Sequence, residues 1–471
     1  MNNGKKTNIV CTIGPATEST EKLTALVKAG MNVMRLNFSH GDFAEHQARL
    51  ASLKQATEKT GATVAVLQDL GGPKIRIGDF ANGLIVLKEG QTFTLTTEKI
   101  VGDEKKVHVN YPLLPKEVKV GGYILLHDAK KKLQITDIKG SEVITKVIVG
   151  GEIKSKRGVN LPGAYLSMSS ITDKDRKDLE FGIKNKVDFI ALSFVRRPSD
   201  ISELRDLLSS VKSKAGIIAK IETPEALENI DEIINLADGI MVARGDLAIE
   251  IPAEEVPLVQ KMLISKCNAL GKPVITATQM LESMIKSPVP TRAEVSDVAN
   301  AIIDGTDAIM LSEETTLGDF PVEAVEMMTR IALRVEKEVF TTDTIAEYQD
   351  SHGVTDVTSQ SAVSASHKVE ARFIVALTES GRTARMLARY RPAEYVVALT
   401  SNQATAQKLA LTFGCYSIVV PKFTTVEQVM EIVRKTALKN KIGSKGNKVV
   451  IVGGMPFGKI KETNMVLIET I

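Results

Sequence analysis

Lys220-Ile221-Glu222 sets an ammonium and a carboxylate two residues apart, which in an extended chain puts both on one face. The same spacing brings Arg35, Asn37 and Ser39 together within Arg35-Leu36-Asn37-Phe38-Ser39-His40, one cation beside two oxygen ligands. Other clusters follow: Asp69 with Lys74 and Arg76; Ala243-Arg244-Gly245-Asp246; Thr276-Ala277-Thr278-Gln279; Ser312-Glu313-Glu314. Glu222 and Asp246 supply few hard oxygen ligands, which suits Mg2+ or Mn2+, ions that take their remaining ligands from water and phosphate. Phosphoryl transfer asks a protein for positioning and cations around the migrating group rather than for covalent chemistry. Taken alone, Lys220 with Glu222 reads equally well as a buried structural ion pair. Six such clusters, each closing an apolar run, weigh against that.

The runs themselves are short and β-branched: Asn8–Ile13, Asn32–Leu36, Thr63–Asp69, Asp188–Ser193, Gly216–Ile221, Gly239–Val242, Pro273–Ala277 and Ala308–Leu311. Helical patterns such as Thr20–Ala29, Asp173–Lys186, Pro224–Leu236 and Ala293–Ile303 lie between them. Eight strands with helical crossovers predict an α/β fold, a (β/α)8 TIM barrel whose catalytic groups gather at the C-terminal strand ends.

Residues 73–165 interrupt that rhythm with short alternating strands and the turn signals Lys88-Glu89-Gly90, Gly121-Gly122 and Gly150-Gly151. This predicts a small β-barrel lid domain inserted between barrel segments 1–72 and 166–342. The insert holds 16 Lys/Arg against 10 Asp/Glu, while the rest of the chain holds 44 against 47. Such charge suits a lid over anionic ligands. From 343 to 471 a β/α pattern resumes, with strand runs Phe373–Leu377, Tyr395–Leu399, Ser417–Val420, Lys448–Val452 and Met465–Ile471, predicting a C-terminal open-sheet α/β domain for effector binding and oligomerisation.

Composition narrows the function classes. A chain of 471 residues calls for two or three domains, and 43% hydrophobic with 25% charged residues is ordinary for a globular protein. Tryptophan is absent and aromatics are 4%, which argues against stacking platforms for nucleic acid. No apolar stretch approaches the roughly 18 residues of a membrane helix, and the N-terminus has no apolar leader. Cys11, Cys267 and Cys415 stand far apart, with no CxxC pair, as reduced thiols of a cytoplasmic protein would.

Several segments together resemble the pyruvate kinase family: VCTIGPAT at 10–17, MRLNFSHG at 34–41, GVNLPG at 158–163, DGIMVARGD at 238–246 and ITATQMLESM at 275–284. PTRAEVSD at 290–297 and GRTARMLARYRP at 381–392 do likewise, so the resemblance spans the chain in family order. It implies transfer of the phosphoryl group of phosphoenolpyruvate to ADP, giving pyruvate and ATP, with Mg2+ or Mn2+, in a cytoplasmic homotetramer. By the same resemblance Arg35 holds the substrate phosphate, and Lys220 neutralises the migrating group and the enolate oxygen. Glu222 and Asp246 bind the divalent metal, and the amides of Gly245 and Asp246 with Thr278 place the substrate carboxylate. Asn37, His40, Arg76 and Arg157 match nucleotide positions, Arg157 replacing the usual lysine. Thr278 and Ser312 line the place where the enol carbon is protonated.

Departures from the family pattern matter too. Family members often hold K+ with oxygens equivalent to those of Asn37, Ser39, Asp69 and the Leu70 carbonyl, and carry glutamate where this chain has Lys74. A lysine there supplies the positive charge covalently, so K+ is expected not to be required. Glu313 adds a carboxylate where glycine is usual, and the lid's usual Asp-Asp-Gly is His127-Asp128-Ala129. Thr378-Glu379-Ser380-Gly381-Arg382-Thr383 follows a strand and opens a helix, so Thr378, Ser380, Gly381, Arg382 and Thr383 are the expected phosphate site of a sugar-phosphate or AMP effector. Two alternatives stand beside the active kinase: another phosphoenolpyruvate or pyruvate barrel enzyme, and a catalytically weakened sensor binding sugar phosphates or nucleotides. The stretch from Gly453 to Ile460 nearly spells a P-loop, but Ile460 stands where the Mg2+-binding hydroxyl belongs.

Overall fold

The computed structural model describes residues 4–341, 348, 353–457 and 462–471. Eight parallel strands close a barrel, each hydrogen-bonded to its neighbours in sequence: Asn8–Thr12, Val33–Asn37, Ala65–Asp69, Phe189–Val195, Gly216–Ile221, Gly239–Ala243, Val274–Ala277 and Ala308–Leu311. They are called strands one to eight below. Side chains of Val10, Val33, Leu67, Ile218, Met241 and Met310 fill the interior, so the barrel is a packed core. The helices around it begin at side-chain caps the sequence spells out. Thr172 with Asp175 and Thr291 with Glu294 cap each other's backbone N–H groups reciprocally, starting Asp173–Lys184 and Arg292–Ile303. The stretch expected as one helix over Pro224–Leu236 is two, Pro224–Glu228 and Ile230–Leu236, because Asn229 leaves helical geometry at ψ 16° and its side chain donates to the carbonyls of Arg196 and Glu225.

The floor of the barrel has its own regularity. Asn32, Asp188, Asp238 and Asp307 immediately precede strands two, four, six and eight, and each side chain accepts an N–H from the start of the preceding odd strand. The pairs are Ile9 N to Asn32 (3.0 Å), Val66 N to Asp188 (2.8 Å), Ile217 N to Asp238 (2.8 Å) and Val274 N to Asp307 (3.1 Å). Without these acceptors, buried strand ends would leave donors unpaired.

The insert forms a six-stranded sheet and a two-stranded ribbon, Leu84–Leu87 with Gly151–Lys154, around a shared core including Phe93, Leu95, Leu133 and Val147. Residues 75–78 close the ring, bridging the two edge strands of the six-stranded sheet through the pairs Arg76–Gly158 and Ile77–Val109. The C-terminal sheet runs in the order Cys415–Val419, Tyr395–Thr400, Phe373–Leu377, Lys448–Gly453, Met465–Thr470, with the last strand antiparallel. This domain docks on the barrel floor. Arg391 reaches both oxygens of Asp307 at 3.1 Å each, Phe413 N donates to Asp307 (3.1 Å), and Arg389 donates to the Ala269 carbonyl (2.7 Å). No helix among the described residues is long and apolar enough to cross a membrane. The junction expected at 342–343 and the Gly458–Ile460 end of the P-loop-like stretch lie outside the described residues.

Candidate active site

The upper rim of the barrel is built around one lysine. Lys220, near the end of strand five, donates to Ser193 Oγ (2.7 Å) and stands 3.0 Å from Glu222 Oε1 and 3.3 Å from Asp69 Oδ1. The other Asp69 oxygen accepts from Arg35 Nε at 2.7 Å, and Arg35 Nη1 donates to Thr12 Oγ1 (2.8 Å). Ser193 hands its own proton to the Leu70 carbonyl (2.7 Å). The ends of strands one to five are thereby tied into one network.

Glu222 is fully buried. One oxygen accepts from Phe194 N (2.6 Å), an amide presented by a residue in left-handed backbone at φ 53°. The other, Oε1, makes no hydrogen bond, because the Lys220 ammonium 3.0 Å away is not aligned to donate to it. A buried carboxylate oxygen left in that state fits a cation ligand.

The electrostatics follow from the packing. Burial works to lower the Lys220 pKa, but Asp69, Glu222 and Asp246 outweigh it and hold the ammonium above the ordinary lysine range. Burial pushes Asp69 up, yet Lys220 and Arg35 together keep it below the usual carboxylate value. Glu222 moves up, chiefly through burial with Asp246 adding to it, against the pull of Lys220. Lys74 is pushed down by burial and then by Lys220, although Asp246 and Glu222 favour its charge. Lys74 therefore sits within electrostatic reach of the lysine and both carboxylates.

Strands six to eight carry a second set. Gly245 N donates to Thr278 Oγ1 (2.8 Å), and both Thr278 and Gln279 take left-handed backbone, φ 70° and 53°. That strained turn is clamped by Arg244, which donates to the Ala277 and Thr278 carbonyls and grips Asp297 through two 2.7 Å bonds. Glu314, 3% exposed, accepts from Ser312 N (2.7 Å) and Leu281 N (3.2 Å), joining the ends of strands seven and eight.

Lid and barrel enclose a cleft of about 550 Å3. Lys74, Arg76, Asp128 and Arg157 line it from the lid side, and His40, Asp246 and Glu313 from the barrel. Asp128 is held out by three successive left-handed residues, His127, Asp128 and Ala129, at φ 55°, 54° and 62°. Asn37 accepts from Ser39 N (3.0 Å), shaping the turn that carries His40. Arg76 donates to the Lys156 carbonyl (3.2 Å), while Arg157 Nε is buried without a partner.

The structure thus gathers Arg35, Asp69, Leu70, Lys220 and Glu222 in one network, with Lys74 and Asp246 close by. Gly245 and Thr278 meet beside them. Thr378, Ser380, Gly381, Arg382 and Thr383 lie apart in the C-terminal domain, where Gly381 N donates to Thr378 Oγ1 (2.9 Å), Arg382 N to Ser380 Oγ (3.4 Å), and Thr383 Oγ1 meets Thr463 Oγ1 (2.9 Å). Sequence reasoning missed Thr12, Ser193 and the Arg244–Asp297 clamp, and it named Glu314 only as a member of its strand-end cluster. Thr12 and Ser193 were accessible through the same strand-end rule that found their neighbours; the clamp joins residues far apart in sequence and left no local signal.

Comparison with known proteins agrees with this geometry. The family model "Pyruvate kinase, barrel domain" matches residues 4–325, and "Pyruvate kinase, alpha/beta domain" matches 356–469. The chain is 48% identical to a pyruvate kinase of Geobacillus stearothermophilus over 99% of this chain and 80% of that protein. It is 42% identical to one of Clostridium perfringens, over 99% of this chain and all of that protein. A pyruvate kinase crystal structure from Cryptosporidium parvum superimposes with a TM-score of 0.94 at 38% identity, covering 99% of this chain and 96% of that one. Strand ends, cleft and relatives converge: the chain belongs to the pyruvate kinase family.

Proposed function

We propose that this chain moves the phosphoryl group of phosphoenolpyruvate onto ADP in glycolysis, the pyruvate kinase reaction EC 2.7.1.40, in the cytoplasm. The observation that carries the reading is Lys220, an ammonium kept charged between Asp69 and Glu222 beside Arg35 and next to a basic cleft. Arg35 grips the substrate phosphate. Lys220 stabilises the negative charge that shifts from the bridging oxygen to the migrating group and the enolate. The Gly245 and Asp246 amides, with the Thr278 hydroxyl, orient the substrate carboxylate. Asn37, His40, Arg76 and Arg157 hold the nucleotide, and Thr278 and Ser312 flank the carbon that receives a proton.

Glu222 and Asp246 are the residues that would hold Mg2+ or Mn2+, and Glu222 Oε1, buried without a hydrogen bond beside the Lys220 ammonium, supports that role. The chemistry such an ion would supply there is to offset negative charge on substrate oxygens. For the monovalent pocket of Asn37, Ser39, Asp69 and Leu70, we favour service by Lys74 over K+. Both Asp69 oxygens are in ion pairs, and the Leu70 carbonyl already accepts from Ser193.

The lid, 73–165, closes over the nucleotide on the barrel of 1–72 and 166–342, and 343–471 carries effector binding at Thr378–Thr383 and tetramer contacts. Val466 and Ile468, 38% and 47% exposed on the outermost strand of the C-terminal sheet, support an assembled state. Light scattering tests the tetramer. Phosphorus NMR of phosphoenolpyruvate with ADP and Mg2+ tests the reaction: ATP signals should grow as phosphoenolpyruvate disappears, and an unchanged spectrum would contradict it. The weakened-sensor reading has no observation in its favour, since Lys220, Glu222 and Asp246 are all in place.

A further inference from the structure

The helix Phe43–Thr60, which follows strand two, buries four side chains: His46, Arg49, Leu53 and Ala56. Two of these are polar, where an ordinary barrel helix would carry an apolar stripe. His46 is 1% exposed and Arg49 6%, so each needs partners to offset its lost hydration. Arg49 finds them in carboxylates: Nε and Nη2 donate to Glu18 at 3.1 Å each, and Nη2 also to Glu45 at 3.3 Å. His46 finds its own in the turn that leaves strand two. Its Nε2 lies 3.1 Å from the His40 carbonyl, and its ring stacks on Phe38 with centroids 4.1 Å apart and planes at 18°.

These partners fix where the imidazole carries its proton. A carbonyl only accepts, so Nε2 is protonated and Nδ1 keeps its lone pair, which faces Arg49 Nη1 at 3.5 Å. Burial and then Arg49 push the His46 pKa down to about 4, although its bond to His40 opposes them, so the ring is neutral at neutral pH. The turn is thereby held from two sides. On the strand side, Asn37 accepts Ser39 N through its side chain (3.0 Å) and His40 N through its carbonyl (3.2 Å). On the helix side, His46 donates to His40. Gly41 completes the turn at φ 75°, where a Cβ would fall 2.6 Å from Glu45 Oε2.

We infer that His46 is a positioning residue for the nucleotide: by donating to the His40 carbonyl, it fixes the main chain that aims the His40 side chain into the cleft under the lid. His40 lines that cleft with Lys74, Arg76 and Arg157, and His46 stands behind it. The inference rests on the reading of His40 as a nucleotide contact and deepens it. Among the described residues, His46 shares no hydrogen bond with Arg35, Asp69 or Lys220, so its effect falls on ADP and spares phosphoenolpyruvate.

Calorimetry on the full chain with Mg2+, titrating ADP and phosphoenolpyruvate separately, tests this in His46→Phe, which keeps an aromatic ring against Phe38 and loses the donor. ADP should bind about three- to tenfold more weakly, the worth of one hydrogen bond, with phosphoenolpyruvate binding unchanged. His46→Gln, whose amide nitrogen can take the place of Nε2, should restore ADP affinity. In a His40→Ala background His46→Phe should bring no further loss, because both act through one contact. If His46→Phe does not fold, His46→Asn, whose amide is too short to reach the carbonyl, takes its place. Equal weakening of both ligands, unweakened ADP binding, or an additive loss in the double variant overturns the proposal. A parent chain that binds no ADP, or His40→Ala that binds it as tightly as the parent, sinks the nucleotide reading of His40 itself and the positioning role with it.

Discussion

Lys220 Nζ stands 3.0 Å from Glu222 Oε1 without donating to it, so the ammonium is drawn to a carboxylate oxygen that still has its coordination free. A lysine placed this way can turn toward charge arriving from the substrate while the carboxylate turns to a metal ion.

Replacing Lys220 with alanine should therefore cost turnover far more than substrate binding. Removing one preorganised donor of this kind lowers kcat about 10²–10³-fold. Steady-state kinetics should show that drop with a nearly unchanged KM for phosphoenolpyruvate; a change confined to KM would reassign Lys220 to ground-state binding.

Glu222→Gln keeps the shape and can still accept from Phe194 N, but it removes the charge that attracts a divalent ion. The Mg2+ concentration for half-maximal activity should rise roughly tenfold or more, about 1.4 kcal/mol. An unmoved Mg2+ titration would count against the ligand assignment.

Lys74 lies within the field of Lys220, Asp246 and Glu222, so a second cation in the same pocket meets repulsion: two unit charges 4 Å apart cost about 4 kcal/mol at an effective dielectric of 20. Full activity is expected in Na+ or tetramethylammonium salts, and Lys74→Glu should acquire K+ dependence. Strong K+ activation of the parent at constant ionic strength would refute this.

Much of the fold was legible because barrel strands are buried on both faces and read as unbroken β-branched runs. Gly216–Ile221 and Ala308–Leu311 match to the residue. Catalytic candidates were legible for a related reason, since polar residues closing such runs have no structural excuse. What stayed hidden depends on partners distant in sequence. Asp69 was read as an oxygen ligand, yet in the fold its two oxygens hold Arg35 and Lys220 in register. The break at Asn229 was hidden too, because the apolar period continues through it and only a carbonyl from another loop reveals the cap.

Asp188 offers a pH test of the barrel floor. Burial raises its carboxyl to about 6, opposed by the Val66 N–H and Lys408. The unfolded value is near 4. The folded state thus binds more protons between those values, and stability should fall as pH rises from about 4 to 6. At neutral pH Asp188→Asn keeps an acceptor for Val66 N and removes the buried charge, so it should stabilise the protein by about 1–2 kcal/mol. Chemical denaturation at pH 7.5 and pH 4.5 checks the sign; a destabilised variant at the higher pH would contradict it.

The most direct test of the central claim is pyruvate formation by the purified chain, coupled to a reporter dehydrogenase, with phosphoenolpyruvate and Mg2+, with and without ADP. The account predicts rapid pyruvate release that requires ADP and collapses in Lys220→Ala. No ADP-dependent pyruvate from a folded protein that still binds phosphoenolpyruvate would contradict it.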